Sequence, residues 1–192
     1  TLLITGGSGF IGRNLRESVL ARRYRILAPS HAELDMADSE AVARYLGQNN
    51  VAYVVHSAYK PAHRNAKDHS GLFYANTRMF FNLAACAGGF KKMLVMGSGG
   101  IYDCLRYQPK MKEEYFGRHI PADEHGFTRY VCGQHIERAA NITDLRIFGI
   151  YGKYEDYAIR FISNMICKAV FDLPLSIKQN RRFDYIWAGD LP

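Results

Sequence analysis

Apolar residues along the chain fall into short unbroken runs separated by stretches in which they recur every three or four positions. Leu2-Leu3-Ile4, Arg25 to Ala28, Val51 to Ala58, Met93 to Met96 and Thr143 to Phe148 are the runs. Runs so short and continuous predict strands buried on both faces, as in a parallel sheet. Between them, Ile11, Leu15 and Val19 predict one helix, and Val42, Tyr45 and Leu46 a second. Leu72, Phe73, Asn76, Met79, Phe80 and Leu83 share one side of a long third helix closed by Gly88-Gly89. A fourth is expected from Phe127 or Thr128 to Ala140, after a polar loop from Met111 to Gly126. A fifth is expected from Ala158 to Val170, with Ile159, Ile162, Ile166 and Val170 near helical spacing. Strands alternating with helices predict an α/β fold.

The connection between the first strand and the first helix is the most informative stretch. It reads Thr5-Gly6-Gly7-Ser8-Gly9-Phe10-Ile11-Gly12, so Gly7, Gly9 and Gly12 fit G-x-G-x-x-G in the strand, turn, helix context that a dinucleotide fingerprint requires. The first glycine permits the turn, the second lets a pyrophosphate approach the backbone, and the third lets helix and strand pack closely. This sharpens the expected fold to a Rossmann-type doubly wound parallel sheet with helices on both faces.

Composition narrows the function classes. The 192 residues suffice for one domain with a substantial core, and 48% are apolar, which argues against disorder. The net charge of +7 is spread along the chain, with the basic doublets Arg22-Arg23, Lys91-Lys92 and Arg181-Arg182 far apart. Solvated surface is expected rather than a nucleic-acid face. No apolar run is long enough to span a bilayer. Cys86, Cys104, Cys132 and Cys167 are widely spaced, which suits free thiols in a reducing cytoplasm better than a metal site.

Thr-Gly-Gly-x-Gly-x-x-Gly resembles the extended short-chain dehydrogenase/reductase superfamily, and within it the NAD-dependent epimerase/dehydratase family acting on nucleotide sugars. The resemblance runs the length of the chain. It implies an NAD or NADP site built by Gly6, Gly9, Phe10, Ile11 and Gly12. At the tip of the second strand Ser30 stands where NAD enzymes of this fold usually carry an acid for the ribose 2′-hydroxyl. Two readings stay open: NADP, with Ser30, His31 or Arg13 near the 2′-phosphate, or NAD held without that carboxylate. Asp35 and Met36 fall on the segment that meets the adenine, although Asp35 or Asp38 could equally cap the second helix. Ser57, Ala58 and Tyr59 take the place of a small-residue motif bordering the cofactor. His56, inside the strand, reads as a packed core residue, and Asn76 falls on a position that helps fix the cofactor end of the site.

For chemistry, the resemblance assigns Ser98 to the hydroxyl that bonds the reacting sugar oxygen. It assigns Tyr130 and Gln134 to the family's Tyr-x-x-x-Lys. A phenol normally titrates near pH 10, and a cation one helical turn away favours its ionised form. Gln134 can bond the ribose but brings no charge. Phe148 lies in Leu145-Arg146-Ile147-Phe148-Gly149-Ile150-Tyr151-Gly152, similar to the family's nicotinamide-side motif. Arg182 to Asp190 resembles a later motif, with Phe183 in place of an Arg. Gly99-Gly100 replaces the acidic pair of the dehydratases. Gly100 and Tyr154 replace the Cys and His of epimerase-reductases that make GDP-fucose.

The implied protein is a cytoplasmic NAD(P)-dependent 4-epimerase or 4-ketoreductase, with a nucleotide-sugar substrate and no nucleic-acid or membrane partner. The broad apolar side of the third helix fits the family's homodimer or ordinary core burial equally. The alternative is a dinucleotide-binding sensor that kept the fold without turnover. Residues 1–192 are expected to form the cofactor domain, with most of the substrate-binding part lying beyond them.

Overall fold

The computed structural model describes residues 1–61, 66–177, 179–180 and 182–192; Arg181 of the third basic doublet lies outside them. Five strands, β1 (Leu2–Thr5), β2 (Ile26–Leu27), β3 (Tyr53–His56), β4 (Lys92–Met96) and β5 (Ile142–Leu145), form one parallel sheet in the order β2-β1-β3-β4-β5. The chain reverses its direction of winding beside β1, and the carboxyl ends of β1, β3 and β4 open onto one edge. Such a switch point is where open parallel sheets bind ligands. A second parallel pair, β6 (Ile150–Tyr151) with β7 (Ile186–Trp187), follows.

The sheet is covered on both faces, which is why its strands lack polar alternation. On one face Leu3, Val54, Met93, Val95 and Ile142 meet α3 (Ser39–Gln48), α4 (Leu72–Ala84) and α5 (Glu124–Ile136) through Val42, Leu46, Phe80, Leu83, Cys132 and Ile136. On the other, Leu2, Ile4, Val55 and Met96 pack against Leu15 and Ile11 of α1 (Phe10–Arg16), and against Leu20 of the short α2 (Leu20–Arg23). Leu191 closes that side. Asp38 caps α3, its carboxylate accepting from the amides of Glu40 and Ala41 at 2.9 and 3.0 Å.

Three helices differ in their boundaries from the sequence expectation. The first helix ends at Arg16, so Val19 does not continue its apolar face and is half exposed. The fourth starts at Glu124 rather than at Phe127 or Thr128, and it ends at Ile136 rather than at Ala140. Asp123 caps it by accepting from the Gly126 amide at 2.9 Å. Gly126 belongs inside because a Cβ there would stand 2.6 Å from Pro121 and 2.7 Å from the Gly100 carbonyl oxygen. The fifth helix, α6 (Phe161–Val170), begins after Ala158 and buries none of its residues.

Candidate active site

At the β1–α1 turn Gly6 has φ +67°, a left-handed backbone that suits glycine. A side chain there would also strike the Ala58 backbone at 2.7 Å, so β1 and the end of β3 approach as only a glycine allows. A Cβ on Gly12 would lie 2.3 Å from the Gly6 oxygen. At Gly9 it would meet only that same oxygen, at 3.3 Å, which leaves the outer side of the turn open. Gly9 is also the N-cap of α1, with no side-chain cap and no acid in the first turn of Phe10 and Ile11. This shape and these amides fit a pyrophosphate.

The adenosine side is built around β2. Glu33 folds back so that its carboxylate accepts from the Ser30 amide at 2.7 Å and from the Ser30 hydroxyl at 2.8 Å. An acid therefore stands at the β2 tip after all, supplied from three residues downstream. Arg16 donates to the Gly7 carbonyl at 3.2 Å, while the Arg13 guanidinium lies 3.5 Å over the Tyr154 ring. The Asp35 carboxylate accepts from the Ala37 amide at 2.9 Å, so Asp35 shapes its own turn and Asp38 is the helix cap. Met36 buries its side chain in the core and offers its carbonyl to the Asn82 amide at 2.9 Å.

The end of β3 is stitched to β1. Ser57 donates to the Thr5 carbonyl at 2.7 Å, and the Ala58 amide donates to the Thr5 hydroxyl at 3.1 Å. That hydroxyl lies 2.8 Å from His56 Nδ1. Burial holds His56 at a pKa of about 3, which agrees with the core role expected for it. Asn76, on α4, is buried; its side-chain oxygen accepts from the Lys60 amide at 2.7 Å and its nitrogen donates to the Lys60 carbonyl at 3.2 Å. Asn76 thus fixes the loop that carries Tyr59.

The reacting side lies between the loop after β4 and the start of α5. Ser98 caps the short 3-10 turn Gly99–Tyr102, its hydroxyl oxygen accepting from the Gly100 amide at 3.1 Å. Its own proton is left to donate. Phe148 stacks on the Tyr102 ring, with centroids 6.0 Å apart, and covers Gly99. Beside them is a cleft of about 360 Å³ lined by Phe148, Arg146, Asp184 and Ile186.

The residues of α5 that meet this loop include His125, Gly126 and Gly133. The nearest His125 ring atom, Cδ2, lies 3.2 Å and Ser98 Oγ and His125 Nε2 lie 3.4 and 3.5 Å from the point where a Cβ of residue 100 would stand, so the imidazole and the Ser98 hydroxyl both border Gly100. His125 Nδ1 is 2.9 Å from the Tyr59 hydroxyl. Arg129, one turn on, lies 4.1 Å over the Tyr59 ring. Its Nε is, among the described residues, the one buried side-chain nitrogen or oxygen without a hydrogen-bond partner. Such an orphaned donor is costly unless something accepts from it.

Tyr130 is placed elsewhere. It is rotated by about 140° from His125 around the helix, and its ring packs 5.4 Å from that of Phe116. Gln134, one turn further, is half-buried behind Gly133, which packs against Ile101 and Phe116. The structure brings Ser98 and Phe148 together at Gly99 and Gly100 and sets His125 beside them, with Arg129 over Tyr59, a pair the sequence reading did not assign to the site. Two signals were present. Asp123-Glu124 is a capped helix start, and His125 and Arg129 have the same spacing as Tyr130 and Gln134.

Burial lowers His125 further than Arg129 and Arg160 do, with Asp123 opposing. Burial also raises the Tyr59 phenol, against Arg129 and a hydrogen bond with Thr128, so Tyr59 stays protonated. Cys132, beneath Arg129, is pushed by burial up to about 12 and is inert as a nucleophile. Among the described residues no group of three His, Cys, Asp or Glu could hold a metal, and no helix is long and apolar enough to cross a membrane.

GDP-L-colitose synthase of Yersinia pseudotuberculosis is 28% identical over 109 residues, which cover 54% of this chain and 35% of that protein. GDP-L-fucose synthase of Azorhizobium caulinodans is 36% identical over 84 residues, covering 43% and 27%. The matched stretches thus span about a third of these curated relatives. Among solved structures, a GDP-mannoheptose C4 reductase from Campylobacter jejuni superposes with a TM-score of 0.80 at 20% identity, covering 99% of this chain and 69% of that one. A Thermus thermophilus UDP-glucose 4-epimerase gives 0.76 at 21%, covering 99% and 71%. The profile of the NAD dependent epimerase/dehydratase family matches residues 2–191. With the glycine turn, the parallel sheet and that match over nearly its whole length, the chain belongs to the NAD dependent epimerase/dehydratase family.

Proposed function

We propose that the chain is the cofactor-binding part of an NAD- or NADP-dependent enzyme that oxidises or reduces a nucleotide-activated sugar, of the 4-epimerase or 4-ketoreductase type. The observation that carries this reading is that the open Gly9 turn and the Ser98 loop sit at the carboxyl ends of neighbouring strands, β1, β3 and β4, in one sheet. That arrangement suits a ligand long enough to reach from a pyrophosphate site to a reacting hydroxyl. The dinucleotide supplies a hydride acceptor or donor when bound. Gly6, Gly9 and Gly12 shape its pyrophosphate site, with Ser30 and Glu33 on the adenosine side and Arg129 offering its free Nε to a ribose oxygen. Ser98 donates to the sugar oxygen. The relatives named for GDP-sugar synthesis and reduction support a GDP-linked substrate.

The exposed outer sides of α4 and α5 carry Tyr74, Phe81 and Phe127, with Phe73 stacked on Phe127 at 5.4 Å. A homodimer meeting through these helices is part of the proposal. So is a reducing cytoplasmic setting, in keeping with four unpaired cysteines. Neither Tyr130-Gln134 nor His125-Arg129 is a Tyr-Lys pair, which favours as second reading a dinucleotide-binding sensor without turnover. Fluorescence titration of the full-length protein with NADH and NADPH, followed by assays on GDP- and UDP-linked sugars, tests both. Binding with turnover is the expected result. Binding without turnover on any sugar selects the sensor.

A further inference from the structure

We propose that the site selects NAD over NADP, and that Glu33 is the specificity-determining residue, its carboxylate standing at the β2 tip where a ribose 2′-hydroxyl is read. The choice rests on the reading above that the chain binds a dinucleotide, which left the two cofactors equal.

In a sheet of this kind the tip of the second strand meets the 2′ position of the adenosine ribose. There one oxygen of Glu33, Oε2, accepts from the Ser30 amide at 2.7 Å and from the Ser30 hydroxyl at 2.8 Å. The direction of both bonds is fixed. They hold the carboxyl below its ordinary range, so it is ionised at neutral pH, and an ionised carboxylate only accepts. Ser30 has thus given away both its amide proton and its hydroxyl proton, and its hydroxyl oxygen is left to accept. The other Glu33 oxygen, Oε1, takes no hydrogen bond among the described residues. The arrangement is set before any ligand arrives. The amides of Glu33 and Leu34 donate to the Ser30 carbonyl at 3.1 and 3.0 Å, and Leu34 is buried in the core.

The tip therefore offers two acceptors and a negative charge. A 2′-hydroxyl has a proton to give and fits them. A 2′-phosphate brings acceptors and negative charge of its own, so it gains no bond there and is repelled. The groups that would offset this are engaged elsewhere. The Arg13 guanidinium lies 3.5 Å over the Tyr154 ring, whose hydroxyl donates to Glu17 at 2.6 Å. Arg16 donates to the Gly7 carbonyl at 3.2 Å. His31 Nδ1 lies 3.8 Å from the Asp35 carboxylate. It is the two Ser30 bonds, and no neighbouring cation, that hold the Glu33 carboxyl down, so its charge stands uncompensated.

Fluorescence titration of the full-length protein with NADH and NADPH measures the preference, and the same titration of Glu33→Gln separates charge from shape. The glutamine oxygen can accept from Ser30 as the carboxylate does, so the turn persists while the charge is lost. The expected result is NADH bound about tenfold or more tightly than NADPH by the wild type, the gap closing to about threefold or less in Glu33→Gln. Calorimetry with ADP-ribose and its 2′-phosphate should give the same order, with no nicotinamide and no turnover involved. A wild type that binds NADPH as tightly as NADH overturns the proposal. An unchanged ratio in a Glu33→Gln protein with unaltered circular dichroism makes Glu33 a lock on its own turn and overturns its assignment, while the dinucleotide reading stands. A wild type that binds neither NADH nor NADPH overturns that reading, and this inference with it.

Discussion

A methyl group added at Gly12 would stand 2.3 Å from the Gly6 carbonyl oxygen, well inside van der Waals contact. Gly12→Ala must push α1 off β1, at a cost of about 1–3 kcal/mol by the usual penalty for overpacking. Thermal unfolding should show that loss, and NADPH titration should show weakened binding in the same variant. His56 gives a prediction of the opposite kind, set by pH. Its pKa falls from 6.5 to about 3 on folding, because burial disfavours the imidazolium. The unfolded chain then binds more protons, so this contribution to stability is complete above pH 6.5 and is lost as pH falls from there toward 3. Urea unfolding across that window should show stability dropping with acid, with a smaller slope in His56→Gln. Both residues were legible in the sequence, because one belongs to a motif with a fixed backbone job and the other lies inside an unbroken apolar run. His125 was not. Its surroundings are Tyr59 and Gly100, which come from two other stretches of chain.

The elements were legible where the chain's own periodicity decides them, and illegible where a neighbour does. β1, β3 and β4 are continuous apolar runs, and the structure places them within a residue or two of expectation. The start of α5 was hidden by Gly126, which reads as a loop residue. Its place in the helix is secured by close packing on Pro121 and the Gly100 carbonyl. Shifting that start by three residues changes which side chains meet the Ser98 loop, so a small boundary difference alters the candidate chemistry. Asp123 and Asp38 both cap helices, and Asp→Ala at either should cost about 1 kcal/mol by chemical denaturation.

Across the whole molecule, the sheet divides its labour. The strand interiors carry the two apolar layers, while the carboxyl ends carry the polar stitching of Thr5, Ser57 and Ala58 and the Ser98 turn. The proposed dimer belongs to this scale. Tyr74→Glu should move the protein to the monomer in sedimentation velocity without changing its circular dichroism, since Tyr74 is 69% exposed. The region from α6 onward is different in kind: Ile166, Val170, Phe171, Leu173, Leu175 and Ile177 all face solvent. Apolar area on that scale attracts other apolar area, including its own image on a neighbouring molecule. The 192-residue chain handled by itself is therefore a colloid first: its shelf life is governed by how concentrated it is, and light scattering will register its failure while the sheet is still intact.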